Sequence, residues 1–186
     1  EILNHIRDGR TSADDLQQLN TRCNTGFRPR PEEGFIRLTT HNYLADNYNE
    51  SELRKLPNAP STYRADIKGT FPEYAYPTAE TLTLKVGAQV MFIKNDPSAD
   101  HLYYNGRIGH VTYLDDSTIF VHCPGDRDAI KVEPQEWENA KYVLNEETRE
   151  IESDVQGVFR QFPLRLAWAI TIHKSQGLTF DHAIID

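Results

Sequence analysis

The spacing of apolar positions along this chain changes several times, and each change marks an element. After Thr11-Ser12-Ala13-Asp14-Asp15, where a hydroxyl is followed three residues later by a carboxylate, Leu16, Leu19 and Cys23 recur at helical spacing. That order predicts a capped first helix of about three turns. Arg28-Pro29-Arg30-Pro31-Glu32-Glu33-Gly34 breaks the period and reads as a linker, because each proline removes a backbone donor and pushes its predecessor out of the helical region. Phe35-Ile36-Arg37-Leu38 reads as a short strand running into Thr39-Thr40. Ala45, Tyr48, Leu53 and Leu56 then predict an amphipathic helix across residues 41–56. A strand, a polar turn and a helix in that order form one step of an α/β sheet.

In the middle of the chain the period shortens to two. Val86, Ala88, Val90 and Phe92 alternate with Gly87, Gln89, Met91 and Ile93, and further strand-like runs follow at residues 107–114, 118–122 and 129–132. Turn signals separate them at Asn95-Asp96-Pro97, Asn105-Gly106, Asp115-Asp116-Ser117 and Pro124-Gly125-Asp126. Short strands joined by tight turns predict a small barrel rather than a parallel sheet. Residues 141–144 and 150–160 add a hairpin around Asn145-Glu146-Glu147-Thr148, and Ala183-Ile184-Ile185 begins a last strand.

Periodicity leaves the run before that strand open. As a strand it puts Leu164, Leu166, Trp168, Ile170 and Ile172 on one face; as a helix begun after Pro163 it groups Ala167, Thr171 and Lys174. In either, the apolar neighbours of Trp168 make it a core residue rather than a base-stacking platform. Both also deliver Thr171, His173, Lys174, Ser175 and Gln176 together at the end of the run, which stops at Gly177.

Charge makes that end more telling. The chain of 186 residues carries a net charge of −8 with a pI near 5.4, which excludes a non-specific coat for nucleic acid, since that depends on many cations neutralising phosphates. From Val155 to Phe180, however, there is no Asp or Glu, and Arg160, Arg165 and Lys174 stand alone. A local cationic cluster set against the overall charge points to phosphate. Three such cations on a single strand imply a log–log salt slope of about −2.

Other chemistry is largely excluded. Cys23 and Cys123 lie far apart with no Cys-x-x-Cys pair, and the histidines show no metal spacing, so no metal site is expected. The thiols suit a reducing, cytoplasmic setting, and no apolar run reaches the roughly 20 residues of a membrane span. Lys174-Ser175 is not a phosphate loop, because His173 and Trp168 occupy the positions where such a loop needs glycine. With no such loop and no acidic strand end to hold magnesium, ATP hydrolysis by this chain alone is not expected, and no catalytic residue is assigned. Thr40 and Asn42, at the turn into the helix of residues 41–56, fit either helix capping or a second phosphate contact.

Three segments carry a resemblance to the Pif-type and RecD-like superfamily-one DNA helicases. They are Ile36-Arg37-Leu38-Thr39-Thr40-His41-Asn42 with Asn49, the stretch from Leu84 through Asn95 to Asn105-Gly106 and Gly109, and Gln161-Phe162-Pro163-Leu164 through Gly177. The second departs from the family at Arg107-Ile108, where a hydroxyl or small residue followed by Arg is usual. The resemblance implies the C-terminal portion of such a motor, an α/β second RecA-like lobe without a P-loop, over residues 31–85 and 161–186. An SH3-like β-barrel would be inserted at 86–160 and a helical segment would occupy 1–30. It implies that Thr40, Asn42, Thr171, His173, Lys174 and Ser175 meet the phosphates of single-stranded DNA, and that Gln176 and Gly177 face the ATP cleft. ATP and Mg would belong to the full-length enzyme, none being bound by this portion alone, and a first RecA-like lobe would complete the site in cis. No membrane is involved, and in a bacterium the location would be at the nucleoid. The alternative is an SH3-like protein-interaction module on an α/β scaffold, in which Tyr103, Tyr104, Tyr113 and Trp137 line a peptide groove.

Overall fold

The computed structural model describes residues 2–30, 33–144 and 151–185, which fall into two compact units, residues 1–30 and 31–186. The first consists of α1 (Ile2–Arg7) and α2 (Ala13–Asn20). Ser12 caps α2 in both directions: its hydroxyl accepts from the Asp15 amide at 3.1 Å and its own amide donates to the Asp15 carboxylate at 2.9 Å. The helix has eight residues and stops at Thr21, short of the expected Cys23, because the Thr21 hydroxyl bonds back to the Gln18 carbonyl at 2.7 Å.

Hydrogen bonds from the Ser12 amide and hydroxyl, then from His5, hold the Asp15 carboxyl at about 2 instead of the ordinary 3.8. A depressed carboxylate stabilises the cap fully above its unfolded value and loses that contribution as pH falls through the folded one. The Ser12 amide resonance should therefore titrate with a midpoint near 2; a midpoint at 3.8 would mean that the capping box does not form.

The second unit combines a parallel sheet with antiparallel ones. Strand β1 (Ile36–Thr39) leads through His41 into α3 (Asn42–Lys55), then come β2 (Ser61–Arg64), β3 (Asp66–Gly69), β4 (Thr81–Leu84) and β5 (Gln89–Phe92). After these run β6 (Ile108–Leu114), β7 (Ile119–His122), β8 (Ile130–Val132), β9 (Gln135–Leu144) and β10 (Ile151–Gln161). The chain continues through β11 (Leu164–Leu166), β12 (Ala169–Thr171), the single turn α4 (Ile172–Ser175) and β13 (Ala183–Ile185). The parallel sheet has the order β12-β1-β13; the antiparallel sheets are β11-β5-β6-β7-β8, β3-β10-β9 and β2-β4.

Among the described residues every sheet is open, so the closed barrel expected from strand spacing is not seen. Both larger antiparallel sheets recruit a strand from outside residues 86–160: β11 finishes the edge of one, and β3 covers β10 in the other. The hairpin expected at 141–160 is longer, its first strand reaching back to Gln135; its turn at Asn145-Glu146-Glu147-Thr148 lies outside the described residues.

Strand β5 is the hub. All four of its side chains are buried, although the sequence alternates there. Val90 and Phe92 enter one core with Leu82, Leu84, Val111, Val121 and Leu164, while Met91 enters another with Ile36 and Ile170. A strand covered on both faces loses the outward polar face that alternation implies.

Candidate phosphate-binding cleft

Neither single reading of the apolar run from Leu164 holds. Leu164–Leu166 pairs with β5, the chain crosses at Ala167-Trp168, and Ala169–Thr171 pairs with β1 before α4 begins at Ile172. Two buried amides fix the crossing. The Gln89 side chain donates to the Ala167 carbonyl at 2.8 Å and to the Phe35 carbonyl at 2.9 Å, and the Ala167 amide returns a bond to the Gln89 carbonyl at 3.0 Å. Asn49, on α3, donates to the Ala169 carbonyl and accepts from the Ala169 amide, both at 2.8 Å. Arg37 opposite bonds the Trp168 carbonyl, so Ala169 turns its own polar groups to the free edge of the parallel sheet, and Asn49 satisfies them there.

The crossing aligns Thr171 with Thr39 at the carboxyl ends of adjacent parallel strands. The turns that follow, Thr40-His41 and α4, therefore start side by side, at the edge where open α/β sheets bind ligands. Beside them lies a cleft of about 430 Å³ bounded by α3, β12 and α4, with Thr78 and Arg165 on its walls. Asn42, Thr171 and Lys174 line it. Thr40 lines a separate pocket of about 220 Å³ with Arg37, Thr39, Leu44 and Tyr48.

His173, Ser175, Gln176 and Gly177 do not line the cleft. The Ser175 hydroxyl proton goes to the Ile172 carbonyl at 2.7 Å, within its own turn. Gly177 has φ +78 with open space where a Cβ would stand, so glycine is required there by backbone conformation rather than by close packing. Of the two readings of Thr40 and Asn42, helix capping is the weaker: His41 is the N-cap, α3 has no side-chain cap, and the Thr40 hydroxyl pairs with His41 Nδ1 at 2.8 Å.

Two cations enter the cleft, not three. Arg160 lies on β10 facing Glu136 at 3.8 Å and is not part of it. Arg165 is half-buried, its guanidinium held by the Pro77 carbonyl at 2.7 Å. Burial lowers the Arg165 pKa, and the Asp46 charge opposes that shift. Lys174 is also lowered, first by desolvation and then by the Arg165 charge, again with Asp46 opposing. Two like charges sharing one carboxylate in a part-desolvated cleft favour an incoming anion. Asp46 was missed as a site residue, whereas Arg165 was expected only as one member of the cationic stretch. Arg165 carried a signal, as the sole charge inside an apolar run; Asp46 carried none, since it looks like any solvated helix carboxylate.

The aromatic groove of the alternative reading is not assembled. Tyr103 is buried and stacked on Phe92 with centroids 4.2 Å apart, Trp137 packs edge-on to Phe159 under Lys94, and Tyr113 packs on Phe120. Of the Tyr103-Tyr104 pair only Tyr104 is exposed. Arg107 is engaged by Asp126 at 2.5 Å and by the Leu102 carbonyl. Among the described residues no cluster of three His, Cys, Asp or Glu could hold a metal ion, and no helix is long and apolar enough to cross a membrane.

No protein-family model matches the chain. Individual proteins do. It is 28% identical over 97% of its length to the ATP-dependent DNA helicase Pif1 of Bdellovibrio bacteriovorus, and 30% identical over its whole length to that of Psychrobacter sp.. The unliganded Pif1 of Bacteroides sp superposes on 99% of the chain with a TM-score of 0.88 at 39% identity. Over nearly its whole length the chain is similar to part of the Pif1-type helicases. It spans 39% and 34% of the length of those two curated relatives and 42% of that Bacteroides structure. Bacteroides Pif1 in complex with ADP-AlF4 matches with a TM-score of 0.87, and Bacteroides Pif1 bound to ssDNA with 0.73, over the same 99% of the chain.

Proposed function

We propose that this Pif1-type chain is the portion of an ATP-dependent DNA helicase that grips single-stranded DNA and faces a nucleotide held chiefly by another lobe. In this reading, residues 31–85 and 161–186 form the second RecA-like lobe, and residues 86–160 are an SH3-like β insert that shares strands with its surroundings. Residues 1–30 belong to the helical segment before it. The observation that carries the reading is the cleft at the carboxyl edge of the parallel sheet, where Arg165 and Lys174 stand with Asn42 and Thr171 and only Asp46 and Glu50 oppose them in charge. A phosphate there would gain two charge-assisted partners and a hydroxyl. Further support comes from relatives described as ATP-dependent DNA helicases and from the Pif1 structure bound to ssDNA.

Thr40, in its separate pocket, and His173 and Ser175, which do not line the cleft, would meet neighbouring phosphates, Ser175 only after its hydroxyl rotates. Gln176 and Gly177, at the end of α4, would face the ATP cleft. ATP and Mg would be held mainly by the first RecA-like lobe in cis, since the sequence has no phosphate loop and the described residues include no carboxylate cluster for the metal. When bound, that nucleotide would supply the free energy that alternates the grip on DNA.

The test is fluorescence anisotropy of a labelled dT oligonucleotide against this chain at several salt concentrations. Two cations in the cleft give an expected log–log slope of about −1.4, at about 0.7 per contact on a single strand. Lys174→Ala should weaken binding about tenfold and bring the slope to about −0.7. ATPase activity should be absent from the chain alone. A slope of zero in the unaltered chain would remove the proposal.

A further inference from the structure

The cleft joins two cations whose shared place in a carboxylate-free stretch points to phosphate without saying that they meet at one group. Arg165 is on β11, in the antiparallel sheet, whereas Lys174 is on α4, beyond the parallel strand β12. The crossing at Ala167-Trp168, locked by Gln89 and Asn49, brings these two cations to one cavity. Arg165 is anchored by a single bond to the Pro77 carbonyl, which leaves its remaining donors available. Asp46, one turn into α3 from Asn42, lines the same cavity and acts on both cations through space.

We infer that Arg165 and Lys174 form a two-point clamp on one phosphate group, and that Asp46 is its resident counter-charge, holding the empty clamp together and lowering its affinity. This rests on the phosphate-binding reading of the cleft and adds to it that both cations hold the same phosphate group and that Asp46 sets their affinity for it. Three features support it. A guanidinium and an ammonium offer a planar fork and a point charge, a pairing suited to a tetrahedral anion. Two like charges kept together against desolvation have their repulsion relieved by a ligand carrying the opposite charge. A carboxylate lining the cleft repels phosphate while lessening the repulsion between the cations.

The phosphate could come from the strand or from a nucleotide, and the experiment has an arm for each. Binding of a labelled dT oligonucleotide and of ATP to the full 186-residue chain is measured for the unaltered protein, Arg165→Gln, Arg165→Lys, Lys174→Gln and Asp46→Asn, with thermal melts alongside. Arg165→Gln is expected to weaken one of the two ligands about tenfold. If that ligand is the oligonucleotide, the salt slope should fall in magnitude by about 0.7, and Arg165→Lys should keep the slope. Asp46→Asn should tighten the same ligand severalfold. Which ligand responds identifies the source of the phosphate.

If Lys174→Gln weakens binding while Arg165→Gln leaves affinity and slope unchanged, Arg165 is only a tether to Pro77 and the clamp is refuted, with the proposed function intact. If neither substitution has an effect, both fall. Should Arg165→Gln fail to fold, the Arg165 Nε resonance of the unaltered chain decides: it shifts on adding the ligand if the clamp exists, and stays still if it does not.

Discussion

Truncating Phe92 to alanine is expected to destabilise the second unit by about 4–5 kcal/mol, the sum of a large buried aromatic truncation and the loss of a stacked ring partner. Its side chain is fully buried. It lies at register with Leu164 on one side and is stacked almost parallel to Tyr103, with the planes 15° apart. Its backbone is equally committed, accepting from Gly106 at 2.8 Å and donating to Arg107 at 2.9 Å. The surroundings cannot collapse into the void, because β5 is held by β11 and β6 and buried on both faces. Urea unfolding should show a lower midpoint with an unchanged slope. The neighbouring exposed Tyr104 makes the control: its replacement by alanine should move stability by no more than about 0.5 kcal/mol. A loss below about 2 kcal/mol at Phe92 would contradict close packing around β5.

Asn49→Ala should cost about 3 kcal/mol, because it leaves both the amide and the carbonyl of Ala169 buried without partners at roughly 1–3 kcal/mol each, partly relieved by relaxation. The effect should also reach the cleft. Asn49 ties α3 to the start of β12, and the chain has only Ile170 and Thr171 between that tie and α4. Oligonucleotide affinity should therefore fall more than the change in folded fraction accounts for, measured at a temperature where the variant is folded. Asn49→Asp should be no better, since it keeps the acceptor for the Ala169 amide, loses the donor to its carbonyl and buries a charge. Unchanged stability in Asn49→Ala would mean that the edge of the parallel sheet is closed by other means.

Local periodicity located much of the chain because it reports how one segment meets one neighbour. The strand before Thr40, the helix after it, the run of short strands ending near residue 132 and the final strand at Ala183–Ile185 all follow from spacing and turn residues. Strands β2, β3 and β4 were not anticipated. Ser61–Arg64 and Asp66–Gly69 are polar and mostly exposed, and are held as strands by partners far along the chain. The early part of β9 was hidden for a similar reason: Trp137 is its only large apolar residue before Tyr142, and its pairing with β10 decides its conformation.

The site divides along the same line. Lys174, Thr171 and Asn42 could be picked out by residue type and order, and the structure gathers those three in one cleft. Arg160 was grouped with them by proximity in sequence, but β10 carries it to Glu136 instead. Tyr103 and Tyr104 are alike in sequence and opposite in burial, since neighbouring residues on an extended chain face opposite ways.

By itself the sequence determined the order of elements, the acidic balance of the chain with its carboxylate-free segment from Val155 to Phe180, and the kinds of residue offered to an anion. Tertiary structure decided which of them meet. The apolar run from Leu164 has no period that would reveal its change of sheet at Ala167-Trp168. That change depends on Gln89 and Asn49, 78 and 120 residues away from the backbone groups they satisfy. A buried backbone amide must find a partner somewhere, and where that partner lies is a property of the folded chain rather than of the segment that needs it.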